Sequence, residues 1–408
     1  MKCRGCYCSL EKPFLNLGLH PLSNAFVKQE NKNEGEMFYP LEVFICEKCW
    51  LAQLSEPAKR EAIFTEDYVY FSSFSQSWLN HADHFSGLAI DKLALNSNSL
   101  VMEIASNDGY LLQYFKGKGI PVLGVEPSAS VAQVAISKKI DTVIDFFGKE
   151  SAQQIVSKYG HADLICANNV LAHVPNLHDF VGGFKNALKP TGVITFEFPH
   201  LLSLMNGVQF DTVYHEHFSY ISVMAVNPIF QKAGLKIFDV QKLSTHGGSL
   251  RLWLTHEDNS KYEVQSSVVE IMREEEKYGL NQILTYRNFN KKVEKVREDL
   301  LKFLIEAKRN EQTVVAYGAA AKGNTLLNYC GIRADLISSV ADRNPVKQGR
   351  LLPGSRIPVV SPEDLMKKKP DYIVILPWNL KSEIVEQLKE ARSWGCQFVV
   401  PVPNLELF

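Results

Sequence analysis

Apolar and polar positions along this chain follow two rhythms. From Leu100 onward, short apolar runs each lead into a small polar turn and then an amphipathic stretch. LVMEI (100–104) runs into ASNDGYLL, and PVLGVEP (121–127) ends in an acid. DTVIDFFG (141–148) ends near Asp145 and Phe146, and ADLICANNV (162–170) ends beside two asparagines. Four such strand–loop–helix units in succession predict a doubly wound α/β sheet. A helix is expected from about Gln76 and a strand over 250–255. Residues 262–312 change to a helical period with dense charge. They predict a bridging segment, two helices broken near Gly279 or Asn288, with Leu300, Leu301, Phe303, Leu304 and Ile305 as the apolar face. From Thr313 the α/β rhythm returns, with strands expected at 336–342, 371–379 and 397–403. These changes divide the chain into 1–65, 66–260, 261–312 and 313–408.

Composition adds exclusions. The 408 residues carry 44 basic and 45 acidic side chains, a net charge of -1, which argues against a general nucleic-acid or membrane-surface role. No apolar run is long enough for a transmembrane helix. The opening MKCRGCYCSLEK has no apolar targeting core, so a cytoplasmic location is expected, with the eight cysteines as reduced thiols or metal ligands. Cys3 and Cys6 form one CxxC and Cys46 and Cys49 another. Each such turn presents two thiolates, and two turns suit a tetrahedral, structural Zn²⁺. Buried free thiols are the other reading, and Cys8 is a substitute ligand.

Chemistry concentrates in FEFPHLLSLMNGVQFDTVYHEHFSY, residues 196–220. Tyr214, His215, Glu216 and His217 offer a base, a carboxylate and a phenol within four positions. A catalytic wall, a polar strand and a His/Glu metal site all fit that pattern. Elsewhere, His246, Ser249 and Arg251 cluster around Gly247 and Gly248, and Tyr68, Tyr70, Phe71 and Phe74 form an aromatic group that covers a ligand or anchors two domains. Asn107–Gly109 open a helix, where free N–H groups suit a ligand. Glu126, at the end of the second strand, is placed for ribose hydroxyls, although an acid there is also a common helix cap. Gly318, Lys322 and Gly323 open a helix in a way suited to a diphosphate. GxGxxG is missing, which disfavours a nicotinamide oxidoreductase.

The succession EIASNDG (103–109), Glu126 and Asn168-Asn169-Val170 resembles class I S-adenosylmethionine-dependent methyltransferases. Ala105 and Asn107 stand where glycines are usual. With the cysteine pairs, EIASNDGYLL, YHEHFSY, THGGSLR, YGAAAKGNTLLNYCGI and the KQG…PG…IP run, the whole chain resembles the sugar C-methyltransferases. That resemblance implies a zinc-binding N-terminal domain, a central methyltransferase domain and a C-terminal Rossmann-like domain that binds the sugar nucleotide. It implies methylation at C-3 of a nucleotide-linked 4-keto-6-deoxyhexose through an enolate, with S-adenosylmethionine as donor. Thymidine diphosphate is the family's usual carrier, with guanosine and cytidine diphosphates as options. By the same resemblance His217 is the base, Glu216 orients it or binds the sugar, and Tyr214, His173 and Tyr68 contact the sugar. Glu103, Asn107, Asp108, Gly109, Glu126, Asn168 and Asn169 line the cofactor. Tyr317, Lys322, Asn324, His246 and Arg251 are expected on the substrate. A metal-dependent enzyme using the His/Glu cluster and a non-catalytic zinc-ribbon nucleotide-binding module are the rivals.

Overall fold

The computed structural model describes residues 1–55 and 72–408. Tyr68, Tyr70 and Phe71 lie outside the described residues. Three sheets organise the chain. The first holds β1 (Pro13–His20), β2 (Tyr39–Ile45) and β3 (Ala52–Leu54), all antiparallel.

The second sheet has seven strands. β4 (Val101–Ile104), β5 (Val122–Val125), β6 (Thr142–Val143), β7 (Ala162–Asn168) and β8 (Leu188–Pro199) run parallel. Their near-continuous apolar runs are what a parallel sheet covered on both faces requires. One cover is the expected helix Gln76–Leu93, whose Phe85 packs with Phe115 and Trp253. Opposite it, helices Leu177–Ala187 and Val223–Lys232 bring Phe184 and Phe230 onto Phe196.

β9 (Ser219–Tyr220) leaves this region and pairs with β3. The N-terminal sheet is therefore completed by the tail of the YHEHFSY stretch, a long-range pairing. β10 (Leu235–Leu243) and β11 (Ser249–His256) return to the second sheet, with β11 antiparallel between β8 and β10.

The bridging segment is two helices, Ser266–Tyr278 and Ile283–Arg309. The break falls at Gly279, not Asn288, because Gly279 takes φ +91° and caps the first helix. Tyr286, Phe289, Val293, Val296, Leu300, Leu304 and Ala307 form the buried face of the second helix. Ile305 faces solvent instead of joining it: the position after Leu304 rotates about 100° off the stripe.

The third sheet is formed by β12 (Val314–Tyr317), β13 (Val340–Ala341), β14 (Val359–Val360), β15 (Tyr372–Ile375), β16 (Gln397–Val400) and β17 (Glu406–Leu407). Its order is β14-β13-β12-β15-β16-β17, parallel except for β17. It is tied to the first region by a backbone bridge between Val27 and Leu351 and by Arg356, which donates to Glu36 and to the Lys32 and Glu34 carbonyls. Among the described residues no helix is long and apolar enough to cross a membrane.

Candidate active site and metal centre

Both CxxC pairs fold into equivalent knuckles. In each, the backbone N–H after the second cysteine returns to the carbonyl of the first, Tyr7 to Cys3 at 2.9 Å and Trp50 to Cys46 at 2.7 Å. Tyr7 and Trp50 adopt left-handed φ values of 64° and 58° to close these turns. The four sulfurs of Cys3, Cys6, Cys46 and Cys49 lie within 4.8 Å of one another. Four soft thiolates at that spacing fit Zn²⁺ and leave it no open position, which makes the centre structural. Cys8 stands outside the group.

Between the sheets lies a cavity of about 390 Å³. One half is built from the carboxyl ends of the parallel strands. Ala105 and Asn107 hold φ of 57° and 49°, so the loop makes its left-handed turns without the usual glycines. Glu126 accepts hydrogen bonds from the N–H groups of Asn107 (3.0 Å) and Ser128 (2.9 Å). A carboxylate has about four acceptor sites, so capacity for a diol remains. Asn168 and Asn169 line the cavity, and their Oδ1 atoms are buried without a protein partner. Such orphaned acceptors suit the ammonium of an amino-acid ligand. Phe146 and Phe147 add an apolar wall. These features fit S-adenosylmethionine.

Tyr214–His217 close the other half. They form a turn, not a strand, with His217 N–H returning to the Tyr214 carbonyl at 2.9 Å. The two histidines therefore part. His215 donates from Nε2 to the Pro40 carbonyl at 3.1 Å, against the edge of Tyr39. His217 faces the cavity, donates from Nδ1 to the Thr212 carbonyl at 3.0 Å, and lies tilted against the Tyr214 ring with centroids 4.1 Å apart. The Thr212 bond fixes the tautomer and leaves Nε2 as the basic nitrogen. Burial, with the nearby His173, holds His217 well below the ordinary histidine range. His173 meets it edge-on at 4.7 Å, and burial lowers it to about 4. Glu216 lines the same wall and accepts from Asn24 Nδ2 at 2.5 Å. His246 accepts from Asn169 at 3.2 Å and leans on Trp78.

Several expected positions fall elsewhere. Glu103 is fully buried beneath the loop, where burial pushes its carboxyl well up. Asp108 turns toward Lys138, 3.6 Å away. Gly109 takes φ +77°, and a Cβ there would sit 2.5 Å from Ile140, so packing against Ile140 is enough to demand a glycine. Arg251 is spent in a buried pair with Glu197 at 2.6 Å. Burial pushes Glu197 up, but the His81 hydrogen bond and the Arg251 charge outweigh it and hold the carboxylate below its usual range. Tyr317 packs with Val315 and Ile375 in a core on the third sheet, and Asn324 is buried against Asn328. A Cβ at Gly247 would collide with Trp378, and one at Gly248 with Ser203. Within the cavity, Asn24, Trp78 and Lys347 had no sequence signal of their own beyond Lys347 in the KQG run.

A doubly wound sheet with an adenosyl-type cradle at its strand ends, joined to a closed thiolate centre, defines a zinc-binding S-adenosylmethionine-dependent methyltransferase. Three family models match the chain: "Methyltransferase domain" at 78–240, "C-methyltransferase C-terminal domain" at 244–403 and "Putative zinc binding domain" at 3–64. The chain is 34% identical to C-methyltransferase NovU of Streptomyces niveus, over 99% of this chain and 96% of that protein. It belongs to the C-methyltransferase family. It is also similar to S-adenosylmethionine-dependent methyltransferase structures from Clostridium acetobutylicum (12% identity, TM-score 0.34, 44% of this chain and 92% of that one) and Anabaena variabilis (16%, 0.33, 43% and 85%).

Proposed function

We propose that this C-methyltransferase acts at C-3 of a nucleotide-linked 4-keto-6-deoxyhexose. His217 is the base that removes the C-3 proton. The observation that carries this is the Nδ1–H bond to the Thr212 carbonyl, which leaves a neutral, cavity-facing Nε2. A base must be unprotonated and aimed to work, and burial supplies the first condition. Tyr214 and His173 bracket the His217 ring and are assigned to the sugar's oxygens. Glu216, held by Asn24, takes a hydroxyl and steadies the wall. Glu126 takes the ribose hydroxyls of the cofactor, and Asn168 and Asn169 its amino-acid end. S-adenosylmethionine supplies the electrophilic methyl. The 34% identity to C-methyltransferase NovU supports a carbon nucleophile, and an adjacent carbonyl is what makes such a carbon acidic. Thymidine diphosphate is the first carrier to test, with guanosine and cytidine diphosphates beside it.

The metal-dependent alternative is not favoured: among the described residues the cysteine group is the one gathered for a metal ion. The deciding experiment offers a panel of 4-keto-6-deoxy sugar nucleotides with isotope-labelled methyl donor. A labelled methyl on C-3 is expected. Label on oxygen or nitrogen, or no donor consumption with any sugar, rejects the reading.

A further inference from the structure

We propose that Lys322 is a catalytic residue of this site, its ammonium offsetting the charge that builds on the sugar's C-4 oxygen as the C-3 proton leaves. This rests on the C-methylation reading above and gives Lys322 a role other than diphosphate binding.

Lys322 stands in the first turn of the helix Ala321–Cys330, and its side chain is turned across the sheet edge into the His217 cavity. Its position is set by a chain of contacts. Nζ donates to Asn379 Oδ1 at 2.7 Å and lies 4.6 Å from the centre of the Trp378 ring. Trp378 in turn donates to Asp211 Oδ2 at 2.8 Å. Thr325 on the same helix donates to the Val213 carbonyl at 2.9 Å, one residue before Tyr214. A Cβ at Gly247 would sit 2.3 Å from Trp378, so that ring is wedged against the His246 loop. Lys322 and His217 are thus fixed to one rigid seam between the second and third sheets.

Charge completes the case. Among the described residues Lys322 makes no contact ion pair: its one hydrogen bond is to a neutral amide. An ammonium has three donors, so two remain for a ligand. Asp211 is fully buried with Oδ1 unpartnered, and its charge opposes the burial that pushes the Lys322 ammonium down. Lys322 lines the same cavity as His217 and His246. The other cavity cation, Lys347, is the contrast. It is bonded to the Ala319 carbonyl at 2.8 Å, lies 3.7 Å from Asp342 and rests over Phe26. The carboxylate-paired Lys347 is assigned to a diphosphate, and Lys322, without such a partner among the described residues, suits an oxyanion.

The electrons balance as follows. The C-3 proton passes to His217 Nε2, its bonding pair becomes the C-3–C-4 double bond, and the carbonyl pair moves to the oxygen facing Lys322. When the methyl is transferred, the enolate pair forms the new carbon–carbon bond. The methyl–sulfur pair stays on sulfur as a neutral thioether, the carbonyl is restored, and His217 returns its proton to water. A preorganised cation in a water-poor site is worth more here than in solution, because it needs no reorganisation as charge develops.

Lys322→Met and Lys322→Gln are tested by two readouts: deuterium wash-in at C-3 of the accepted 4-keto sugar nucleotide without methyl donor, and the Kd of free thymidine diphosphate. Exchange is expected to fall by about 10²–10³-fold while Kd stays within about threefold. Lys322→Arg, which keeps the charge, is expected to recover part of the exchange rate. The glutamine variant keeps a donor for Asn379 and provides the same split if the methionine variant does not fold. Weakened thymidine diphosphate binding with exchange preserved, or equal losses in both, overturns the assignment. Wild-type protein that exchanges no sugar on the panel rejects the C-methylation reading itself, and the lysine's role with it.

Discussion

Two groups of four ligand-type residues lie in this molecule, and they behave in opposite ways. Cys3, Cys6, Cys46 and Cys49 converge until every sulfur is within 4.8 Å of the others. Tyr214, His215, Glu216 and His217 are contiguous in sequence yet diverge. His215 turns to Pro40 while His217 turns to the cavity. The knuckles converge because each repeats the same backbone turn around the same side-chain length. The second group diverges because its own turn points successive side chains to different neighbours. Closeness in sequence is thus a poor guide to closeness of functional atoms. The contrast also separates the chemistry: identical soft donors around one point hold a metal, whereas a single freed imidazole nitrogen moves a proton.

The largest expected effect breaks the first group. Removing zinc, by chelation or by Cys3→Ser with Cys46→Ser, takes away a binding energy of roughly 10 kcal/mol. Because β9 pairs with β3, loss of the N-terminal sheet also frees the chain beside His217. Melting and metal content should fall together, and activity with them. One zinc per chain that survives the cysteine changes but is lost in a His215/His217 double variant would reverse the assignment of the two groups.

His217→Asn comes next. C-3 exchange is expected to drop by about 10²–10⁴-fold, with zinc content and melting temperature nearly unchanged. Exchange that persists at the wild-type rate removes His217 as the base.

A pH series sharpens the same difference. His20, His173 and His246 are each lowered from 6.5 to about 4 by burial. Their unfolded forms bind protons first, so stability is fully present above pH 6.5 and declines as pH falls toward 4. Each contributes a slope of about 1.4 kcal/mol per pH unit in that window. Thermal melts should show this acid loss, and His173→Asn should make the slope shallower. Activity, which needs neutral His217, should hold below the ordinary histidine range before it declines.

The smallest effect belongs to His215→Ala. Losing the hydrogen bond to Pro40 costs about 1 kcal/mol of stability. Exchange should stay within about threefold of wild type, and a loss comparable to that of His217→Asn would erase the distinction between the two histidines.

Much of the fold was legible because it depends on local rhythm. The apolar runs at 101–104, 122–125 and 162–168 became β4, β5 and β7. The helical period across 262–312 became two helices that break at a glycine. Glu126, Asn168 and His217 were legible because each sits at a strand end or in an unusual polar run and does line the cavity. Arg251 was misplaced for a reason sequence does not carry: Glu197, its partner, is the residue opposite it on the neighbouring strand. The sequence does not reveal that Gly109 leaves room for Ile140 or that Gly247 leaves room for Trp378.

By itself the sequence determined the element types, the two thiolate turns and the presence of a base, a carboxylate and a phenol, since these follow from side-chain chemistry and short-range backbone preference. Tertiary structure alone decided which histidine reaches the cavity and that β9 completes the N-terminal sheet. It also decided which cavity cation lies beside a carboxylate and which meets a neutral amide. Those outcomes depend on contacts such as Thr325 to Val213, Trp378 to Asp211 and Asn24 to Glu216, between residues more than a hundred positions apart.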